Sequence, residues 1–291
     1  MNAMKRTLTL LALLALLILP ATLHAAQPPS RVELEKGYVL VYDFGDIRLH
    51  SYATDDLMND QCFIFEKGDA LVLLEMPAFH SNFGEYRAYI DGLGKLGKMP
   101  AGILISYHPS GPDYFGDIPV YSNPATARSI HRGALKAMLA GFAQAFGPDF
   151  NTHVLRATET ITADKVSIGG IDFGIHHNEE GFDLDVPAIG VLYTHMLGEK
   201  VHSIIGGREQ IDVMLETLRA YRAKNYTLIL TSHHEPEPPT ALAAKMAYLE
   251  KTKEIAQTGS QESFIAEMKR AFPDYAGEGY LEMTAAALYR R

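Results

Sequence analysis

Residues 101–117 read AGILISYHPSGPDYFGD. The apolar run Gly102-Ile103-Leu104-Ile105 has the length and composition of a buried strand. It stops at Ser106-Tyr107-His108 and enters a loop of Pro109, Ser110, Gly111 and Pro112 that ends on Asp113. In α/β proteins, loops at the carboxyl ends of strands are where chemistry is placed. The same pattern recurs. Gly190-Val191-Leu192-Tyr193 runs into Thr194-His195, and Thr227-Leu228-Ile229-Leu230 runs into Thr231-Ser232-His233-His234. Ile171-Asp172-Phe173-Gly174-Ile175 runs into His176-His177. One sheet system that aligned these four strand ends would bring their imidazoles together.

Working outward, Tyr38–Tyr42 and Ile47–Tyr52 read as a hairpin across Asp43, Gly45 and Asp46. Cys62–Phe65 and Ala70–Glu75 read as a second hairpin across Lys67-Gly68-Asp69. Phe83–Leu96 has helical spacing, so strand, helix and strand form a crossover unit there. Downstream, Pro119–Tyr121 reads as a short strand. Asn123 is placed to cap a helix that has Pro124 at its first position and runs to about Phe146. His153–Thr158, Lys165–Ile168 and Ile171–Ile175 read as strands. Phe182–Val186 alternates, which puts Asp183 and Asp185 on a solvated face. Lys200–Ile205 is expected to pair back onto Val191–Thr194. An amphipathic helix follows over Arg208–Lys224, and three more over about 240–256, 260–272 and 279–289. The class is α/β with C-terminal helices from about 240 to 291.

The first 26 residues stand apart. Lys5 and Arg6 precede the unbroken apolar run Leu10–Leu19, then Pro20 and a small-residue stretch ending at Ala25-Ala26. This predicts a cleaved secretory signal, a mature domain over 27–291 and a periplasmic or secreted location. The apolar run is shorter than the roughly 20 residues of a membrane span. The chain of 291 residues has a formal net charge of −9 and no long basic run, which argues against nucleic acid or, after cleavage, a membrane as partner. A small-molecule substrate is the expected partner. Cys62 is the only cysteine, so there is no internal disulfide and no thiolate-rich metal site. Histidine and carboxylate are the ligand types available, and they suit zinc or another first-row divalent ion. The candidate metal residues are His108, Asp113, His176, His177, His195, His233 and His234. Asp113 and His195 are also candidates to move protons. A bound ion lowers the pKa of its water toward about 7 and so yields a metal-bound hydroxide at neutral pH.

The order of these segments resembles the metallo-β-lactamase fold superfamily. Asp60–Phe65 followed by Leu71–Pro77 is similar to that family's opening hairpin, with Glu75 where the second strand normally ends in aspartate. His108 through Gly116 sits where the family carries its His-x-His-x-Asp-His-x-Gly motif. Read without a gap, Ser110, Pro112 and Asp113 replace the second histidine, the aspartate and the third histidine; with a gap, Asp113 takes the aspartate's place. His176-His177 falls near the next ligand histidine, and His233-His234 near the last. The resemblance implies a four-layer αβ/βα sandwich and, together with the signal, an exported hydrolase acting on a small ester, lactone, amide or thioester. With the motif depleted, it implies one zinc ion rather than two. The alternative is a non-catalytic member that uses the cleft to bind a ligand or a protein partner.

Overall fold

A computed structural model describes residues 28–113, 115–195 and 197–290. The signal expected over 1–26 lies outside the described residues. A first sheet takes β1 (Ser30–Glu33), β2 (Tyr38–Asp43), β3 (Ile47–Ala53), β4 (Gln61–Lys67), β5 (Ala70–Leu74), β6 (Met99–Leu104), β7 (Val120–Ser122) and β8 (Glu159–Thr160) in sequence order. The second holds β9 (Lys165–Ile168), β10 (Ile171–His177), β11 (Phe182–Val186), β12 (Val191–Thr194) and β13 (Leu228–Thr231), in the order β13-β12-β11-β10-β9. Among the described residues, seven α-helices accompany them: α1 (His80–Gly94), α2 (Pro124–Arg132), α3 (Ala134–Phe146), α4 (Arg208–Arg222), α5 (Thr240–Ala256), α6 (Gln261–Ala271) and α7 (Glu278–Leu288).

The two sheets meet face to face. Phe63, Phe65, Val72, Leu74 and Leu104 of the first pack against Phe173, Ile175, Leu184, Val186 and Tyr193 of the second. The alternate residues Cys62, Ile64, Leu71, Leu73 and Ile103 lie outward under Tyr86 and Ile90 of α1. Leu192 and Ile229 point to the far side of the second sheet, under α4–α7. Both faces of each central strand are therefore covered, which is why these segments read as continuous apolar runs. The result is the four-layer αβ/βα sandwich that the resemblance implied.

Two parallel pairings position the site. β5 and β6 pair in parallel, joined through α1; β12 and β13 pair in parallel, joined through α4. β10, β12 and β13 end at one edge of their sheet, because β11 runs against its two neighbours.

Four expectations need correction. The helix expected from Asn123 to Phe146 is two helices. Gly133 breaks it in an extended conformation, and a side chain there would meet the Ser129 Cα at 2.8 Å. His153–Thr158 is not a strand. Val154 bridges Ser110 and the Leu155 amide donates to the Pro109 carbonyl, so the segment is stitched to the loop after His108. Lys200–Ile205 does not pair with β12, whose two edges are taken by β11 and β13. It runs instead to the C-terminal helices, with Val201 bridging Ala276 and the Ile205 amide donating to Thr284 Oγ1. Asp183 and Asp185 are not solvated. Their face of β11 is roofed by α4 and the residues that follow it, and both are buried.

Lys245 of α5 secures the 201–203 loop by donating to the Val201 carbonyl at 2.7 Å and to Ser203 Oγ at 2.9 Å. Burial pulls its ammonium down from the ordinary 10.5 to about 7, against the attraction of Glu237. The unfolded chain therefore holds this proton over a range in which the folded chain has lost it, and stability gains from rising pH between about 7 and 10.5. Lys245→Met is expected to flatten that rise in a melting-temperature series, with roughly 3–5 kcal/mol at stake. Parallel pH profiles for the two proteins would contradict it.

Candidate metal centre

His108, His195 and His233 converge at the shared edge. One ring nitrogen from each can be chosen so that all lie within 4.8 Å of one another. His108 Nε2 and His195 Nε2 are 3.3 Å apart, though the residues are 87 positions apart in the chain. His108 arrives from the first sheet, His195 and His233 from the ends of the adjacent parallel strands β12 and β13.

Glu75 holds the pieces in register. It takes a left-handed backbone, φ 56°, at the end of β5, where its own amide donates to the Leu104 carbonyl. Its carboxylate turns under the next strand end. Oε1 accepts the Ser106 and Tyr107 amides at 3.2 and 2.8 Å, and Oε2 the His108 amide at 3.2 Å. Tyr193 Oη donates to Oε1 at 3.0 Å and lies 2.9 Å from Ser232 Oγ. One carboxylate thus ties the segment carrying His108 to residues just before His195 and His233. Burial pushes its pKa up to about 7 despite these donors. Asp183 makes a second tie by accepting from Tyr107 Oη at 2.8 Å, Thr194 Oγ1 at 3.1 Å and Tyr221 Oη at 2.7 Å. The Tyr107 ring stacks on His195 with centroids 4.7 Å apart.

Asp60 sits behind the cluster, 1 % exposed. Its Oδ1 is 2.9 Å from His233 Nδ1 and 3.9 Å from His108 Nδ1. His233 Nδ1 also faces the Met58 carbonyl at 3.1 Å, so that nitrogen carries the hydrogen and Nε2 keeps its lone pair. Burial raises the Asp60 carboxyl, but the neighbouring His108 and His233 outweigh it and hold the group below its usual range. Burial drives His108 down to about 4, with Asp60 opposing and His233 adding to the effect, and drives His195 well below its ordinary value, with His108 and His233 adding.

These groups fit a divalent cation. A tetrahedral ion with nitrogens at 2.0–2.1 Å needs them about 3.3–3.4 Å apart, and the Nε2 pair has that spacing. Two of the imidazoles are held uncharged near neutral pH, so a metal need not displace a proton from them. Asp60 adds a buried anionic carboxylate, and neither of its oxygens has a well-aligned hydrogen bond among the described residues. It is placed as the outer partner that orients ligand imidazoles. Asp60→Asn is therefore expected to weaken zinc binding about 10–100-fold, measured by competition with a chromogenic chelator, while far-ultraviolet circular dichroism stays unchanged. Unaltered affinity would remove Asp60 from that role.

The other candidates lie elsewhere. His176 is on β10, two strands from β12, and its Nε2 meets Asp185 Oδ2 at 3.1 Å on the face under α4. His177 Nδ1 meets the Asn123 amide at 3.2 Å and its Nε2 faces the Ala163 carbonyl. His234 follows its cluster neighbour, but its ring turns against Gly198; burial, then His233 and Lys245, lowers its pKa to about 4. Asp113 is exposed in its loop. Asp60, Tyr107 and Asp183 were not singled out from the sequence as site residues. The one available signal was that Asp60 immediately precedes the strand Gln61–Lys67.

The backbone has close counterparts among solved structures. It matches a β-lactamase domain protein from Burkholderia ambifaria with a TM-score of 0.61, over 92% of this chain and 91% of that one, at 17% identity. The fold is that of the metallo-β-lactamases. A metallo-β-lactamase family protein from Thermus thermophilus gives a TM-score of 0.58 at 12% identity, over 83% of this chain and 91% of that one. The stereoselective inverting sec-alkylsulfatase Pisa1 from Pseudomonas sp. gives 0.62 at 15% identity over 86% of this chain, which spans half the length of that protein. No family model matches the sequence, and no curated protein matches it. The three histidines of this chain cluster at one edge of that fold.

Proposed function

We propose that the protein is a metal-dependent hydrolase of a small ester, lactone, amide or thioester, with one divalent ion, zinc by preference, held by His108, His195 and His233. The observation that carries this reading is the convergence of three imidazoles beside the buried, under-bonded carboxylate of Asp60. When bound, the ion supplies Lewis acidity, which polarises a carbonyl and activates water. The chain's own contribution is preorganisation. Glu75 and Asp183 hold the three strand ends, the Met58 carbonyl with Asp60 beside it keeps His233 as the Nδ1–H tautomer, and the Tyr107 ring fixes the plane of His195. Three protein ligands leave a fourth position open, as catalytic zinc sites require. Asp60 Oδ2 is a buried anionic oxygen beside the cluster.

The test is a screen of p-nitrophenyl esters, lactones, thioesters and β-lactams with zinc-reconstituted protein. Secondary alkyl sulfates are included because the sulfatase neighbour is named for them. Chelator-sensitive turnover of an ester, lactone, thioester or β-lactam supports the reading; turnover of alkyl sulfates alone would keep the metal hydrolase but overturn the carbonyl substrate class. A stoichiometric ion without turnover of any class would favour the non-catalytic alternative.

A further inference from the structure

The chain is acidic overall, yet residues 118–148 contain no aspartate or glutamate and include Arg128, Arg132 and Lys136. The segment carries β7 and the α2–α3 hairpin, which lies between β7 and β8. All three cations are exposed, and among the described residues none forms an ion pair. In α3 the polar residues are Lys136 and Gln144. One face, with Leu139, Phe142 and Phe146, packs on Phe79 and Phe150. The opposite face leaves Ala137, Met138, Ala140, Gly141 and Ala145 in solvent, with Met138 43% exposed.

We propose that this hairpin is a docking surface for an anionic lipid surface, with Arg128, Arg132 and Lys136 at the headgroups and the outer face of α3 laid in the interface. The composition is that of an interfacial element: an exposed apolar helix face and exposed cations in one helical pair, without acids. Whole-chain charge is the wrong guide here, because screening confines a membrane's field to about a Debye length and the surface senses only the nearest face. A symmetric dimer through the same face would oppose cations of one copy to cations of the other without a balancing acid in the segment, which disfavours a second copy as occupant. No helix among the described residues is long and apolar enough to cross a membrane, so the contact is peripheral. The Phe79–Phe150 cluster that receives α3 also receives Met58, whose carbonyl faces His233, and Asn151 beyond it bonds to Ser110 and Gly111 near His108. Docking therefore carries the histidine cluster to the boundary where amphiphilic molecules collect.

The experiment is cosedimentation of the chain from Gln27 onward, which includes every described element, with vesicles. One set is phosphatidylcholine alone, the other equal parts phosphatidylcholine and phosphatidylglycerol. Three cations predict a preference for the anionic vesicles on the order of a hundredfold, lost as salt rises from about 0.1 M to about 1 M. The exposed double variant Arg128→Gln/Arg132→Gln should bind about thirtyfold more weakly, and Met138→Glu should also weaken binding, with thermal melts unchanged. Equal partition to both vesicle types, or wild-type binding by the double variant, overturns the proposal. So does a dimer in analytical ultracentrifugation that the double variant dissociates, which would assign the face to a second copy.

Discussion

His108→Ala is expected to empty the metal site. Wild-type protein purified without chelator should hold roughly one zinc, iron or manganese ion per chain by elemental analysis, and the variant should hold essentially none. Two remaining ligands, His195 and His233, lack the count that structural or catalytic zinc sites use, so affinity should fall by at least about a thousandfold. Any chelator-sensitive hydrolysis should fall to background with it. The fold should survive: the His108 side chain lies at the sheet edge, 13% exposed, and the segment's hydrogen bonds run through its backbone amide. His195→Ala and His233→Ala should behave alike. His177→Ala is the control, because its ring bonds to Asn123 and Ala163 outside the cluster. No metal in the wild type, even after incubation with excess zinc, would sink the hydrolase reading.

Glu75→Ala should have the largest effect on stability. It strands three backbone amides and the Tyr193 hydroxyl in a fully buried position. Each orphaned buried donor costs about 1–3 kcal/mol, so a loss of about 4 kcal/mol is a moderate expectation. For a domain of this size that lowers the melting temperature by roughly 10 °C. Glu75→Gln separates the two halves of the network. The amide oxygen can still accept at the Oε1 position, but its NH2 would face the His108 amide, donor against donor. The expected penalty is smaller, about 1–2 kcal/mol, with metal affinity lost in excess of stability because the displaced group is the one that sets His108. A Glu75→Ala melt within a degree or two of wild type would show that water satisfies these donors.

The secondary structure was legible where local periodicity decides it. The hairpins over residues 38–53 and 61–74, the α4 helix and the three C-terminal helices follow from spacing and turn residues alone. Gly68, at φ 58°, marks the second hairpin's turn as its neighbours Lys67 and Asp69 suggested. What could not be read was anything set by strand order. His176-His177 ends a strand at the same edge as His195, but β11 intervenes, and adjacent strands lie about 4.8 Å apart. The pair therefore falls short of the cluster. Asp183 and Asp185 alternate with apolar neighbours whether their face meets water or a helix, and here the tyrosines of α4 and the loop after it supply the missing partners. Gly174 is part of the same arrangement, since a side chain there would meet Asp185 Oδ1 at 2.2 Å. Asp60 reached the site through the 54–60 turn, in which Asp56 Oδ1 accepts the Met58 and Asp60 amides, a geometry invisible to a pattern of apolar residues.

Because one histidine of the cluster comes from the first sheet and two from the second, no half of the chain can assemble it alone. The ends of β12 and β13 can meet once their sheet has formed, but His108 joins them only after the interior between the sheets has closed. Loop-closure entropy delays such distant pairings to the later stages of folding. The cluster should therefore be a clock for the final docking step. Capture of a coloured ion such as cobalt during refolding would rise with burial of that interior and lag the appearance of helical signal. The chain would then acquire its ion as a finished protein, not fold around it.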